Sequence, residues 1–221
     1  NIASNIFAQL RTGAAALREL DTTTAGQSFH EASASLVSLQ QQLRPLRIET
    51  LVASMQNLFP QLETSPKALQ QAITFVDDAQ TIAATLETLQ TKTFALLLND
   101  GGDELISLLT TLTKTIANLR EVAAHLTNIA ENFGIAIPRE SLAMLDAIKP
   151  LEQLLKNILV ILQSPTPTRI ALLFQNPSEI RPAGGFIGSY ADLTLDHGSI
   201  TAIAVNDIYY PDGRLHLQIY P

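Results

Sequence analysis

The chain has no cysteine and no tryptophan, only two methionines, and aromatic residues at just 5% of its 221 positions. The missing cysteines exclude disulfides, thiolate metal sites and cysteine nucleophiles, and they leave the redox compartment open. With aromatics scarce and 46% of residues hydrophobic, the core must come from leucine and alanine, a composition typical of helical bundles. Basic residues are also few: 14 Lys and Arg against 21 Asp and Glu, for a net charge of −7. They are scattered, whereas a phosphate backbone requires clustered cations, so nucleic acid is excluded as a partner. No apolar run approaches the ~18–20 residues of a membrane span; Phe94–Leu98 and Ile158–Leu162 are among the longest. The first residue is Asn1 rather than Met. The expectation is a chain that starts inside a longer product, with any signal or anchor upstream.

What is present is helical periodicity. Ile2, Ile6, Leu10, Leu17 and Leu20 fall at helical spacing over residues 2–20, and Asp21–Gly26 reads as a break. A second helix places Phe29, Ala32, Leu36, Leu39, Leu43 and Leu46 on one face, with Pro45 ending or kinking it because proline lacks the N–H donor. A short helix continues to Phe59 and closes at Pro60. Ser65-Pro66 starts a third helix that runs to Leu98 with Leu69, Ile73, Val76, Ile82, Leu86 and Leu89 on its face. Asn99-Asp100-Gly101-Gly102 is a turn by composition. The fourth helix carries the clearest signal: Leu105, Leu109, Leu112, Ile116, Leu119, Ala123, Leu126, Ala130 and Phe133 alternate spacings of four and three, a heptad seam, with Gly134 as its stop. The fifth helix runs from Pro138 to Gln163, kinked at Pro150, with a seam of Leu142, Leu145, Ile148, Leu151, Leu155, Ile158 and Leu162.

At Ser164-Pro165-Thr166-Pro167 the period changes. Arg169–Phe174 reads as a buried strand, and Phe186–Leu195 and Ile200–Ile208 are β-rich. Asp196-His197-Gly198-Ser199 between the last two is a hairpin turn, and Leu215–Tyr220 is one more candidate strand. The fold class is α+β: a long antiparallel helical bundle over residues 1–163, then the first strands of an α/β domain over residues 164–221. So few strands bury too little to stand alone, so the sheet belongs either to an incomplete domain or to one that a partner completes.

Candidate chemistry is sparse. The four histidines, His30, His125, His197 and His216, lack metal-ligand spacing and read as surface residues, and no metal or cofactor is expected. Asp77-Asp78 and Asp103-Glu104 are acidic pairs. Paired carboxylates do acid–base work when their environments split their pKa values, but Asp103 and Glu104 sit where a helix dipole favours negative charge, and Asp77 and Asp78 read as a solvated face. No nucleophile elbow, P-loop or dinucleotide fingerprint appears, so no catalytic residue is assigned. Gly184-Gly185-Phe186-Ile187-Gly188 could bring backbone amides to an anion, or simply make a tight turn. The densest polar cluster, Gln175 to Gly185, lies between two strands, where α/β folds carry sites. The candidate ligand-binding residues are Asn176, Glu179, Arg181, Gly184, Gly185 and Asp207. Arg181 beside backbone amides suits an anionic group, and a loop pinned by Asn176 and a Glu179–Arg181 ion pair is the structural alternative.

The run Leu172-Leu173-Phe174-Gln175-Asn176, then Glu179-Ile180-Arg181, then Gly184-Gly185-Phe186-Ile187-Gly188-Ser189 resembles the signature of a bacterial family of envelope proteins, domain-of-unknown-function family 4012. Asp196-His197-Gly198-Ser199-Ile200 and Asn206-Asp207-Ile208-Tyr209 fit the same pattern, so the motif resemblance covers residues 169–213. It implies an extracytoplasmic protein tethered to the bacterial cell membrane by an anchor outside this chain, often associated with polysaccharide or envelope assembly. Ile170 to Tyr209 is also distantly similar to the start of the LytR-CpsA-Psr domain, whose members transfer glycan polymers from a polyprenyl-pyrophosphate carrier using arginines and acidic residues. At the positions where that family carries Arg and Asp, this chain has Gly188 and Tyr190, then Asn206 and Asp207, so Asp207 alone is retained.

Three functional expectations follow. The first is a non-enzymatic envelope protein whose helices form a stalk or docking surface and whose α/β part binds a glycan, a lipid-linked intermediate or a protein partner. The alternative is a glycan phosphotransferase in which Arg181 and the glycine loop hold phosphate and Asp207 assists a metal; it requires these groups to converge on one concave pocket. The third is self-association through the seam of the fourth helix.

Overall fold

A computed structural model describes residues 2–43, 64–132, 139–179 and 184–210. Among the described residues five helices precede three strands: α1 (Ile2–Arg18), α2 (Thr22–Leu43), α3 (Thr64–Leu98), α4 (Gly102–Asn132), α5 (Arg139–Leu162), β1 (Thr168–Asn176), β2 (Phe186–Asp196) and β3 (Ser199–Asp207). The α+β class read from the pattern is the class observed. Pro45, the segment to Phe59, Phe133, Gly134, Arg181, His216 and Leu215–Tyr220 lie outside the described residues.

Helix ends follow from local chemistry. α1 closes at Leu20, which takes a left-handed φ of 59°, and the Asp21 N–H donates back to Ala16 O at 2.9 Å. This six-to-one bond satisfies a terminal carbonyl. Asp21 then caps α2, its Oδ1 accepting from Thr24 N at 3.0 Å. The Thr24 side chain, and then its backbone N–H, hold the Asp21 carboxyl below the usual carboxylate range. The break expected over Asp21–Gly26 is therefore only Glu19–Asp21, and Thr22 to Gly26 are helical. α3 ends in the same way: Asp100 has φ 58° and Gly101 N donates to Leu96 O at 2.9 Å. A Cβ at Gly101 would lie 2.6 Å from Leu96 Cδ2, so the turn needs glycine there. α5 is continuous through Pro150.

The described chain divides into two compact units. The first comprises residues 1–91 and 108–156: α1, α2, the larger part of α3 and α4, and the first part of α5. Its core is leucine, isoleucine and alanine, as the low aromatic content requires. Phe29, Ala25, Ala32, Val76 and Ala83 are almost wholly buried, as are the α4 seam residues Leu109, Leu112, Ile116, Leu119 and Ala123. Small residues allow close approach: a Cβ at Gly13 would come within 2.6 Å of the Phe29 ring. Several threonines inside the helices donate to the carbonyl four residues back, among them Thr81, Thr85, Thr88 and Thr113.

Polar side chains tie the rods together. Ser33 Oγ donates to Asp77 Oδ1 at 3.0 Å, Asn118 Nδ2 donates to Asp78 Oδ2 at 2.6 Å, and Gln90 Nε2 donates to Leu20 O at 3.0 Å. The Asp77-Asp78 pair is thus divided between two neighbouring helices, with Asp77 exposed and Asp78 partly buried. Burial pushes the Asp78 carboxyl up, against the bond from Asn118.

The α5 seam differs from the sequence reading. Leu151 is exposed and Glu152 is buried in its place, followed inward by Leu155, Leu159 and Leu162. Arg120 Nη2 lies 3.2 Å from Glu152 Oε2, and Lys156 Nζ donates to Oε1 at 2.5 Å. Counting apolar residues alone misses this phase because an ion pair, not a leucine, occupies the position.

The second unit comprises residues 92–107 and 157–221: the α3–α4 hairpin tip, the end of α5, and the sheet. The sheet order is β1-β2-β3, antiparallel throughout. His197 and Gly198 connect β2 to β3 with φ of 45° and 78°, the two-positive-φ turn that matches the strand twist. That turn packs against the start of α4. Gly102 N donates to Ser199 Oγ at 3.0 Å in a buried setting, and a Cβ at Gly198 would stand 2.9 Å from Gly102 O. Leu96, Leu105, Leu159, Leu162, Ala191 and Leu195 are buried in this unit. β1 is not the buried strand expected: the successive residues Leu172, Leu173 and Phe174 are about half exposed, so neither face of β1 is closed over, and among the described residues it stands at the edge of the sheet.

Candidate functional site

Antiparallel pairing brings the end of β1, the start of β2 and the end of β3 to one end of the sheet. Asn176 pairs with Phe186, and Ser189 pairs with Asp207. The register shifts between Phe174 and Gln175 on β1, which leaves Gly188 as the extra residue on β2. Five of the six candidate residues lie at this end: Asn176, Glu179, Gly184, Gly185 and Asp207. Arg181, the sixth, lies outside the described residues.

The loop that leaves β1 is built by Asn176. Its Oδ1 accepts from Ser178 N at 3.0 Å and its carbonyl accepts from Glu179 N at 3.4 Å, so the chain reverses within four residues, as an Asx turn does. Glu179 is exposed. The return is made by two glycines. Gly184 has φ 90°, a left-handed conformation that side chains rarely tolerate. A Cβ at Gly185 would lie 2.6 Å from Asn176 O and 2.9 Å from Gln175 Cγ. Gly185 is thus required by close packing against the β1 end, which is the turn-making role; Gly184 is exposed.

Asp207 is placed differently. It ends β3, with β2 between it and β1, so two strand spacings of about 4.8 Å each separate it from the loop's strand. Its Oδ1 accepts from Tyr209 N at 2.8 Å, so one carboxylate oxygen is committed to a local turn. Tyr209 closes the same end: its ring lies 6.4 Å from that of Phe186, and Ile208 N donates to Gly188 O at 3.1 Å. The sequence reading missed this aromatic pair. Its only sequence signal was the position of Tyr209 two residues after Asp207.

The structure therefore groups Asn176, Gly184 and Gly185 directly, with Glu179 on the same loop, and sets Asp207 apart across β2. Residues 166–215 match the family model described as Protein of unknown function (DUF4012). The DUF4012 match spans all three strands and includes all six candidate residues. Neither a curated protein nor a solved structure matches the chain.

Several other acidic groups and His197 make local contacts. Asp103 and Glu104 occupy the first turn of α4, and Glu104 lies 3.5 Å from Lys92. His197 Nδ1 is 2.7 Å from Asp196 Oδ1 at the exposed hairpin. On the face of the sheet, Arg169 pairs with Asp192. Among the described residues no group of three His, Asp or Glu is arranged to hold a metal, and no helix is long and apolar enough to cross a membrane.

Proposed function

We propose that the protein is an extracytoplasmic cell-envelope protein, tethered to the membrane, whose DUF4012 segment binds a glycan or lipid-linked glycan through the loop between β1 and β2, while the helical bundle carries it as a stalk or docking surface. The observation that supports this most is the loop itself. Asn176 turns the chain by accepting from Ser178 N, and Gly185 packs closely against Asn176 O, so the described residues at the two ends of the loop lie together and bring amide, carboxylate and backbone groups to one end of a sheet. Such groups suit hydroxyl-rich ligands. A carrier pyrophosphate would be met by Arg181, which falls between Glu179 and Gly184 in sequence.

The phosphotransferase alternative, with its likeness to the LytR-CpsA-Psr domain, asks Asp207 to act with Arg181 and the glycine amides. The turn bond from Tyr209 N and the intervening strand speak for the binding role instead. The test is isothermal titration of the protein with purified envelope polysaccharide and with a polyprenyl pyrophosphate analogue. Binding of either, abolished by Arg181→Ala and Asn176→Ala but retained with unchanged thermal melting in Lys114→Ala, is the expected result. Release of phosphate or transfer of glycan in the same mixtures, lost in Asp207→Asn, would establish the enzymatic alternative, and absence of binding to both ligands would refute the proposal.

A further inference from the structure

Helix α5 carries the same 3-4-3 spacing twice, displaced by one residue. One stripe is Leu151, Leu154, Ile158 and Ile161; the other is Glu152, Leu155, Leu159 and Leu162. One residue along a helix is a rotation of about 100°, so the two stripes face different ways. The first is wholly aliphatic, yet Leu151 is 45% exposed, Leu154 55% and Ile161 45%. The second contains a carboxylate, yet it is the one that is buried, with Glu152 at 7% and Leu155 at 6%. Three aliphatic side chains are common to either choice, and the fourth position is a leucine in one stripe and a glutamate in the other. Apolar burial therefore favours the stripe that is left outside, by about 1.5–3 kcal/mol for a single leucine side chain.

What opposes that preference is visible. Glu152 meets Arg120 of α4 at 3.2 Å and Lys156 of its own helix at 2.5 Å. The arrangement is not tuned for stability alone, since the Arg120 Nε is buried with no hydrogen-bond partner, and buried ion pairs are often no more stabilising than the hydrophobic residues that could replace them. Their better attested use is to choose one packing among several.

We infer that α5 is a two-faced helix whose docking face is selected by the Glu152–Arg120 pair, so that removing the pair lets α5 turn and bury Leu151 and Leu154 in place of Glu152 and Leu155. The device is a latch: the apolar stripe is held outward by an ion pair.

The absence of cysteine from the chain gives a direct readout. Leu154→Cys and Leu155→Cys, introduced singly into the full chain, are challenged with a small alkylating reagent. In the otherwise unaltered chain Leu154→Cys reacts faster than Leu155→Cys, by about tenfold or more, because buried thiols react only on local opening. In a Glu152→Lys background, where the residue repels Arg120 and stays polar, the order reverses. Arg120→Glu alone also reverses it, and Arg120→Glu with Glu152→Arg restores the original order. Should Glu152→Lys fail to melt cooperatively by circular dichroism, Glu152→Gln takes its place. An unchanged order of rates in these backgrounds overturns the inference. So does rapid alkylation at both positions, which would mean that α5 has come loose rather than turned.

Discussion

Replacing Gly102 by alanine tests the joint between the helical hairpin and the sheet within the second unit. The Cβ would overlap His197 O and would stand 2.7 Å from Gly198 C and 2.8 Å from Ser199 Oγ. The first two are backbone atoms, fixed by the two-residue turn, so the clash cannot be relieved by rotating a side chain. Overpacking of this kind costs about 1–3 kcal/mol. The shift also breaks the bond from Gly102 N to Ser199 Oγ, and a buried N–H left without a partner adds roughly 1–3 kcal/mol. The expected loss is therefore about 2–6 kcal/mol, borne by the unit that holds the sheet. Alanine's better helix propensity does not offset it, because Gly102 opens the helix rather than sitting inside it. The assay is native-state hydrogen exchange, reading the β2 and β3 amides separately from those of α1 and α2. Gly102→Ala should speed exchange of the strand amides while α1 and α2 stay protected, and Ser199→Ala should give a smaller effect of the same pattern. A Gly102→Ala chain whose strand amides exchange as in the parent would show that the turn and the helix start do not press on one another, and the reasoning would fail.

Leu119→Asp should unfold the first unit, since Leu119 is buried in the α4 seam and an unpaired carboxylate there has no compensating partner; loss of the cooperative circular dichroism transition is the check. The same burial means that self-association through this seam would require the bundle to open, so a dimer that persists with α4 protected from exchange would have to use another surface. Two carboxylates should give opposite pH dependences. Glu152 is held below its usual 4.5 by the bond from Lys156 and the charges of Lys156 and Arg120, so its contribution is complete above 4.5 and is lost as pH falls through the lowered value. Glu152→Gln should flatten that part of a urea-melt pH series. Asp78 is raised above 3.8, chiefly by burial; ionising it costs stability as pH rises through the raised value, and Asp78→Asn should remove that loss. Gly185→Ala should lower melting temperature and weaken glycan binding together, since its Cβ would stand 2.6 Å from Asn176 O; unchanged binding would separate the loop's shape from recognition.

The sequence pattern disclosed those elements whose chemistry is local. The α4 heptads, the left-handed turn at His197-Gly198 and the switch to strands after Pro167 are all written in short-range spacing. The start of α2 was misread because Thr22-Thr23-Thr24-Ala25-Gly26 looks like a loop by composition, while Asp21 caps it into a helix. The burial of β1 was misread because an apolar run does not say whether its strand is central or at an edge. The phase of α5 was hidden by a long-range partner: only the position of Arg120 explains why Glu152 is inside. At the candidate site, the glycine and asparagine turn chemistry was legible. The distance of Asp207 from the loop was not, since it depends on strand order.

The threonines have a further consequence. The hydroxyls of buried Thr85 and Thr113 are satisfied by carbonyls of their own helices, so to a neighbouring rod each behaves as a valine and exerts no hold on relative sliding. Polar cross-links between rods are then made by carboxylates and amides, such as Asp77 with Ser33. Exchange of Thr85 or Thr113 for valine should thus be nearly silent, while Asp77→Ala, which removes the acceptor for Ser33, should loosen α2 against α3.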